Sequence, residues 1–360
     1  MEARKLEERK PAALLGRKLN RTNNYLVLRM RILFRMFRVG KLTLPKVWNA
    51  TYCYIAYFLR RERSAATPFL INFELWNDCN EACVFCRSAR GEIYNTNPEG
   101  KAPMEKGKLP MEVYKDVIEQ THKTLMMSVP YINGEPLLSK DVYESISFAT
   151  ERKTATMIAT NGMILNAANS EKLLKAGLDF LKIHISGFTQ DVHSIQHRKG
   201  NVETIKRNIE KFVELNQAGG YGTLVMLDFI KYNHNLHEIE TAREFADRLG
   251  IMFNLRPGNP RGMEDSEGPQ GNKDLPVNQA CDWLWTVLTV DWNKKVFPCC
   301  DHVTWSDAPA YETFTTGVTN MKQLWNGDKA RNMRKIHSTQ GRKPLPVCAE
   351  CPRQGVTFKW

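Results

Sequence analysis

The chain has 360 residues and a net charge of +12, a length that suits one large α/β domain and a smaller module. No stretch reaches the roughly 18 uncharged apolar residues of a membrane-spanning helix, and no apolar run precedes a small-residue cleavage site. We therefore expect a cytoplasmic protein, in which nine cysteines indicate metal ligands rather than disulfides.

The first predicted elements are helices in residues 20–63, within a basic N-terminal extension that we place at residues 1–67. Residues 1–65 contain 16 Lys and Arg against four Glu, which accounts for the entire net charge and leaves a neutral body. A neutral body argues against a nucleic-acid-binding protein. Apolar side chains recur at helical spacing, first at Leu26, Met30, Leu33 and Phe37.

Two interpretations of this extension remain open. It is either a helical pair that packs on the main domain or a basic amphipathic surface that meets anionic lipid or a lipid-linked substrate. The second interpretation would add peripheral membrane contact to a cytoplasmic protein. We favour an arm that packs on the body through Trp48, Tyr52 and Phe58 and presents its arginines outward.

Strands and helices alternate through the next domain, which we place at residues 68–260. Short apolar runs predict strands at 69–75, 125–132, 154–159, 180–185, 223–229 and 252–255. Helical patterns between them predict helices at 112–121, 142–150, 170–176, 202–215 and 239–249. Six such βα units imply a parallel sheet, either curled as a barrel or wound openly, with its chemistry at the C-terminal ends of the strands.

Three cysteines follow the first predicted strand with the spacing CxxxCxxC, at Cys79, Cys83 and Cys86. A structural zinc site needs four closed ligands and is usually built from CxxC pairs. Three thiolates with no fourth ligand nearby suit a cubane iron–sulfur cluster with one open iron. Such an iron can bind the amino and carboxylate groups of S-adenosylmethionine (SAM) and pass an electron to its sulfonium. A zinc knuckle or inert buried thiols are the alternatives.

This cysteine motif resembles the signature of the radical SAM superfamily, CxxxCxΦC, where Φ is aromatic and is here Phe85. The resemblance covers residues 70–255. It implies a partial (β/α)6 TIM-like barrel and a [4Fe–4S] cluster that cleaves SAM reductively to a 5'-deoxyadenosyl radical. A flavodoxin or ferredoxin is implied as the donor of the low-potential electron.

Three later loops resemble SAM-binding segments of that family. The NGEP sequence after strand two is similar to the family's GGEP segment, with Asn in place of the first Gly, and the sequence after strand three is similar to its TNG turn. Strand four ends at a serine, and the arginine of an HRKG sequence matches a position that pairs with the SAM carboxylate. The implied SAM contacts are Phe85, Asn133, Gly134, Glu135, Pro136, Asn161, Ser186 and Arg198.

The C-terminal module, which we place at residues 261–360, resembles the SPASM and twitch auxiliary-cluster domains. A strand hairpin is predicted between its first cysteines, with Asn293 at the turn, where Asn tolerates a left-handed conformation. A helix is predicted at 321–336. The resemblance implies one second [4Fe–4S] cluster, held by Cys281, Cys299, Cys348 and Cys351. Cys300 is taken as a neighbour, although the choice between it and Cys299 stays open, and a zinc site is the alternative.

The leading functional hypothesis is a radical oxidoreductase that removes hydrogen from a C–H bond of a sugar, an aminocyclitol or a lipid-linked saccharide alcohol. The single auxiliary cluster resembles the family's dehydrogenases of that kind. Arg256 and His184 are candidates for the substrate base by position only. Modification of a ribosomal peptide by thioether formation, epimerisation or crosslinking is the alternative. A non-catalytic metal-bound nucleic-acid binder is disfavoured, and no nucleic acid partner is expected.

Overall fold

A nine-stranded sheet dominates the computed structural model, which describes residues 25–84, 86, 105–258, 279–303, 308–349 and 351. Its strands are β1 (Leu70–Phe73), β2 (Met127–Val129), β3 (Ala155–Thr160), β4 (Phe180–Ile185), β5 (Leu224–Lys231), β6 (Met252–Pro257), β7 (Val287–Val290), β8 (Lys295–Phe297) and β9 (Glu312–Thr313).

Helices and two 3-10 turns, at Pro136–Leu138 and Asn233–Glu238, connect these strands. The helices are α1 (Tyr25–Arg38), α2 (Leu44–Phe58), α3 (Met111–Thr121), α4 (Asp141–Glu151), α5 (Ala167–Lys175), α6 (Gln190–Gln196), α7 (Val202–Ala218), α8 (Ile239–Leu249), α9 (Trp283–Thr286), α10 (Cys300–Val303), α11 (Met321–Trp325), α12 (Asp328–Gln340) and α13 (Pro346–Ala349).

Strands β1 to β6 are all parallel and neighbour each other in sequence order, as the six predicted βα units require. Alternate side chains of the later strands, such as Ile183, Leu227 and Phe253, pack in one core cluster with helix residues that include Phe212 and Phe245. The opposite side chains of these strands therefore face the interior of the curled sheet. The predicted α/β class and partial barrel are confirmed.

The predicted C-terminal hairpin is present, because β7 and β8 pair antiparallel. The position of this hairpin in the sheet was not predicted. Strand β7 also pairs parallel with β1, so the barrel sheet continues directly into the C-terminal module. The left-handed residue at the turn is Lys294, with a φ of 64°, and not Asn293. The predicted helix at 321–336 is divided into two helices, α11 and α12. The break falls at Asn326, whose side chain forms hydrogen bonds with the backbone N and O atoms of Ser64.

Helices α1 and α2 close the N-terminal end of the barrel. In α1, Leu28 packs among residues at the starts of later strands, including Phe180 and Met252. In α2, the Asn49 amide donates to the carbonyls of Thr67 and Thr124, which precede β1 and β2. The extension therefore lies at the end of the barrel opposite to the C-terminal edge of the strands.

The expected orientation of this arm is wrong. Trp48, Tyr52 and Phe58 do not pack on the body but are 61%, 53% and 61% exposed. The buried side chains of α2 are small or polar, and some satisfy backbone groups at the ends of strands, as when the Cys53 thiol donates to the Thr67 carbonyl at 3.2 Å. A different aromatic residue of this helix, Tyr57, packs against Trp285 of the body. Among the described residues, no helix is long and apolar enough to cross a membrane.

Candidate functional site

The cysteine loop follows β1 at the C-terminal edge of the sheet, as predicted. Cys79 and Cys83 are buried, and Cys86 is half-buried. The loop is held against the segment that follows β4, because Ala82 N donates to Arg198 O at 3.0 Å and Val84 N to Gln196 O at 2.9 Å. Phe85, which was assigned to the signature and to SAM, lies outside the described residues.

A buried glutamate and histidine accompany the second cysteine of the loop. The His197 Nδ1 atom lies 3.0 Å from Glu81 Oε2 and 3.4 Å from Cys83 Sγ, and the thiol also donates to Glu81 Oε2 at 3.2 Å. Sequence reasoning missed this group because His197 is more than a hundred positions away and carries no local signal. It fixes the position of Cys83 from the side of the β4 loop.

The three thiols suit a shared metal cluster. Burial raises the pKa of Cys79 to about 12, and the nearby charges of Glu135 and Cys86 add to that rise. Burial also raises the pKa of Cys83 well above its ordinary value, with contributions from Glu81, Cys86 and Cys79. Thiols that influence one another in a buried loop need a strong cation before they ionise, and the iron of a cluster supplies one.

The loop after β2 packs directly on the cysteine loop. Gly134 has a φ of 73°, and a Cβ atom there would lie 2.5 Å from Asp78 O, so only glycine fits. Glu135 N donates to that same carbonyl at 2.8 Å. The Asn133 amide, at the family's usual glycine, donates to the buried Glu74 at 2.6 Å. The asparagine that replaces the family's glycine is therefore held by a hydrogen bond to Glu74.

The carboxylate of Glu135 joins the loops after β2 and β3. It accepts hydrogen bonds from Thr160 Oγ1 at 2.7 Å, Asn161 N at 2.8 Å and Leu137 N at 3.1 Å. Burial raises its pKa to about 7, against the opposing effect of these donors. Asn161 in turn donates to Asn80 Oδ1 at 2.8 Å, which places the TNG turn beside the cysteine loop. Glu135 therefore holds the loops after β2 and β3 together at the C-terminal edge of the sheet.

The residues assigned to SAM from β4 onward lie at the same edge. Ser186 is fully buried, and its Oγ atom has no hydrogen-bond partner within the described part of the chain. A buried hydroxyl of this kind is suited to a polar ligand. The Arg198 side chain is exposed, while Pro136 is buried at the start of a 3-10 turn. The described loops after β1, β2, β3 and β4 thus converge on one place.

A second polar group faces the interior of the barrel on β4, β5 and β6. The Asp228 carboxylate accepts from Arg256 Nε at 2.7 Å and lies 3.8 Å from Lys182 Nζ, and Arg256 Nη2 is 3.1 Å from His184 Nδ1. Burial acts to raise the pKa of Asp228, but the charges of Lys182 and Arg256 hold it below its ordinary value. Loss of water lowers the pKa of His184 well below its usual range. The group is therefore an ionised carboxylate beside a neutral imidazole.

This geometry does not favour Arg256 as the substrate base. Its guanidinium already donates to Asp228 and lies beside His184, and a guanidinium has no acceptor atom for a proton. The geometry instead favours Arg256 as a partner of Asp228 in a salt bridge, from which it can also help to bind a substrate.

The C-terminal cysteines form a second thiol group. Burial raises the pKa of Cys281 far above its ordinary value, and the charges of Cys351 and Cys348 contribute to the rise. Burial also raises the pKa of Cys299 well above its ordinary value, and the charge of Cys281 contributes to this rise. Two buried histidines that sequence reasoning missed flank the group: His302 Nδ1 is 3.1 Å from Cys299 Sγ, and His337 Nδ1 accepts from Cys281 N at 3.1 Å.

Comparisons with known proteins match two parts of the chain. The family model of the radical SAM superfamily matches residues 73–246, and that of an iron–sulfur cluster-binding domain, SPASM, matches residues 281–352. The chain therefore contains a radical SAM domain. It carries a SPASM domain at its C-terminal end, and these domains imply a [4Fe–4S] cluster with SAM and auxiliary iron–sulfur clusters.

Relatives of several functions match part of the chain. The chain is 26% identical over 231 residues to mycofactocin maturase MftC of Mycobacterium tuberculosis, covering 62% of this chain and 53% of the relative. It is 29% identical over 205 residues to the AdoMet-dependent heme synthase of Methanosarcina barkeri, covering 56% and 54%. It thus spans about half the length of these relatives. The structure of Streptococcus suis SuiB with S-adenosylmethionine superimposes with a TM-score of 0.56 at 12% identity, covering 83% of this chain and 75% of SuiB.

Substitution of the C-terminal cysteines tests their assignment. We expect Cys348→Ala to lower iron and acid-labile sulfide by about half after anaerobic reconstitution, because it removes one ligand of one of two clusters. Cys300→Ala is the matched control and should leave both values level. Loss of iron in Cys300→Ala with none in Cys348→Ala would contradict the proposed ligand set of Cys281, Cys299, Cys348 and Cys351.

Proposed function

We propose that this protein is a radical SAM oxidoreductase that oxidises an alcohol carbon of a sugar or aminocyclitol. The observation that carries the proposal is the convergence of four loops around three cysteines, directly above a barrel interior lined by charged groups. Cys79, Cys83 and Cys86 would hold the SAM-binding cluster. When bound, that cluster and SAM supply a 5'-deoxyadenosyl radical that takes a hydrogen atom from a substrate C–H bond.

The chain's own residues would bind and orient both molecules. The buried Ser186 hydroxyl and the edges of the loops at Gly134 and Asn161 are the proposed SAM contacts, with Arg198 at the carboxylate. Glu135 keeps these loops in place through its three hydrogen bonds. A buried network of this kind excludes water from the site because its polar atoms are already paired.

The interior charges support a polar substrate. Lys182 and Arg256 can donate to hydroxyl oxygens while Asp228 accepts from hydroxyl hydrogens. Oxidation of an alcohol carbon removes one hydrogen atom, one proton and one electron. The C-terminal cysteines would hold the auxiliary cluster that accepts the electron, and a flavodoxin or ferredoxin is the proposed external donor for SAM cleavage.

The position of the arm bears on the choice of substrate. Helices α1 and α2 lie at the opposite end of the barrel from the site, since Asn49 bonds the residues that precede β1 and β2. A water-soluble saccharide in the cytoplasm therefore fits better than a lipid-linked one. Peptide modification remains the second candidate, because relatives such as PqqA peptide cyclase carry that function in their names.

Deuterium transfer distinguishes the two substrate classes. The reconstituted protein is incubated without oxygen with SAM, dithionite and C-deuterated myo-inositol, glucose or glucosamine. We expect deuterium in the released 5'-deoxyadenosine and a product that lacks two hydrogens. Transfer from a deuterated precursor peptide encoded beside the gene, with none from the polyols, would replace the proposal with peptide modification.

A further inference from the structure

Most of the exposed large apolar side chains of the described residues lie on helices α1 and α2 or directly after them. Eleven of the fifteen large apolar residues that are exposed within the described ranges fall between residues 30 and 59. They include Phe34 and Phe37 on α1 and Leu44, Trp48, Tyr52 and Phe58 on α2. We call the exposed sides of these two helices the arm face. Apolar surface concentrated in this way marks an interaction site, whereas scattered apolar residues do not.

The arm face points away from the body. The inward sides of the helices are occupied: Lys41 pairs with Asp179, Lys46 donates to the Lys153 carbonyl, and Met36 packs against the barrel strands. On α2 the exposed positions Leu44, Trp48, Tyr52, Ile55 and Phe58 recur every three or four residues, so they form one continuous stripe. The helices are therefore amphipathic with their apolar sides outward.

The charges around the arm face are almost entirely positive. The exposed ionisable residues of the described stretch 27–65 are Arg29, Arg38, Arg60, Arg61, Glu62 and Arg63. Five guanidinium groups beside an apolar, aromatic surface match the features of helices that lie in the interface of an anionic membrane. An isologous dimer would instead set these arginines against those of a second copy.

We infer that the arm face seats the protein on an anionic lipid bilayer as a monotopic contact. The apolar side chains would enter the boundary between headgroups and acyl chains to a depth of about 5–10 Å, with Trp48 and Tyr52 at the polar level. The C-terminal edge of the barrel, with the cysteine loop, then faces the water. The contact fixes the protein's location and leaves its active site open to soluble molecules, and it does not depend on the proposed reaction.

Vesicle binding by the full-length reconstituted protein tests this inference. We expect cosedimentation with phosphatidylglycerol–phosphatidylethanolamine vesicles and binding at least about tenfold weaker to phosphatidylcholine vesicles, with sensitivity to salt because the Debye length is about 8 Å at physiological ionic strength. The double variant Trp48→Ser/Phe58→Ser should lose at least about tenfold in binding. Val318→Ser, which alters an apolar residue that is even more exposed and lies away from the arm, is the matched control and should bind normally.

Several results would overturn the inference. These are wild-type protein that binds neither vesicle, a double variant that binds as well as the wild type, and binding that appears only after residues 1–24 are removed, which would show that the chain covers its own arm face. A wild-type dimer that the double variant dissociates would assign the face to a second copy. Iron content and 5'-deoxyadenosine release, measured on the same samples, should be unchanged in both variants and so separate this result from the catalytic proposal.

Discussion

Replacement of Cys79, Cys83 and Cys86 by Ala together is expected to abolish release of 5'-deoxyadenosine from SAM while leaving the iron of the C-terminal module in place. The three thiols lie in one buried loop, and no other cysteine of the described residues lies on the loops that surround them. The C-terminal thiols flank β7 and β8 in the chain, with Cys281 before β7 and the other cysteines after β8, and would form a separate cluster.

The measurement is iron and acid-labile sulfide per chain together with 5'-deoxyadenosine by chromatography. Iron should fall by about half, because one of two clusters is lost. Cys53→Ala is the matched control: Cys53 is buried on the inward side of α2, and its substitution is expected to leave cluster content and SAM cleavage intact. Continued release of 5'-deoxyadenosine by the triple variant would refute the assignment of this loop.

Asp179→Ala should destabilise the protein by about 3–5 kcal/mol, because it leaves the Lys41 ammonium buried without its counter-ion. The two side chains are only 5% and 4% exposed, and Lys41 Nζ lies 2.5 Å from Asp179 Oδ2. Burial already lowers the pKa of Lys41, and Asp179 opposes that shift. The same carboxylate accepts from Thr156 N at 3.0 Å, so the substitution also unpairs a backbone donor of β3.

Denaturant unfolding of the cluster-loaded protein measures this effect. Asp191→Ala, which removes an exposed acidic side chain in the first turn of α6, is the matched control and should cost less than about 1 kcal/mol. A loss in Asp179→Ala no larger than in this control would show that the arm is not anchored to the barrel through Lys41.

The parts of the fold that follow a local pattern could be predicted. All six barrel strands lie where alternating apolar runs placed them, since a buried parallel strand carries its signature in a few consecutive residues. The spacing of Cys79, Cys83 and Cys86 located the first site for the same reason, because neighbouring ligands on one loop are visible in the sequence. The C-terminal hairpin could be predicted in the same way, because its two strands are neighbours in the sequence.

The parts that depend on distant partners could not be predicted. His197 meets Glu81 and Cys83 across more than a hundred residues, and Asn133 meets Glu74 across nearly sixty. Strand β7 pairs with β1 across an even longer stretch of sequence. Aromatic side chains at helical spacing usually face a core, but the sequence did not show which of the aromatic residues of α2 do so. Asn49 and Cys53 bond backbone groups at the ends of strands and so occupy much of the inward side of the helix.

Release of 5'-deoxyadenosine by this chain is the direct test of whether it cleaves SAM reductively. The full-length protein, reconstituted with iron and sulfide without oxygen, is reduced with dithionite and given SAM, and the products are separated by chromatography. We expect 5'-deoxyadenosine and methionine in equal amounts, at a level that depends on both the reductant and the iron. Protein that carries a full complement of iron and sulfide, binds SAM and still yields no 5'-deoxyadenosine would contradict it.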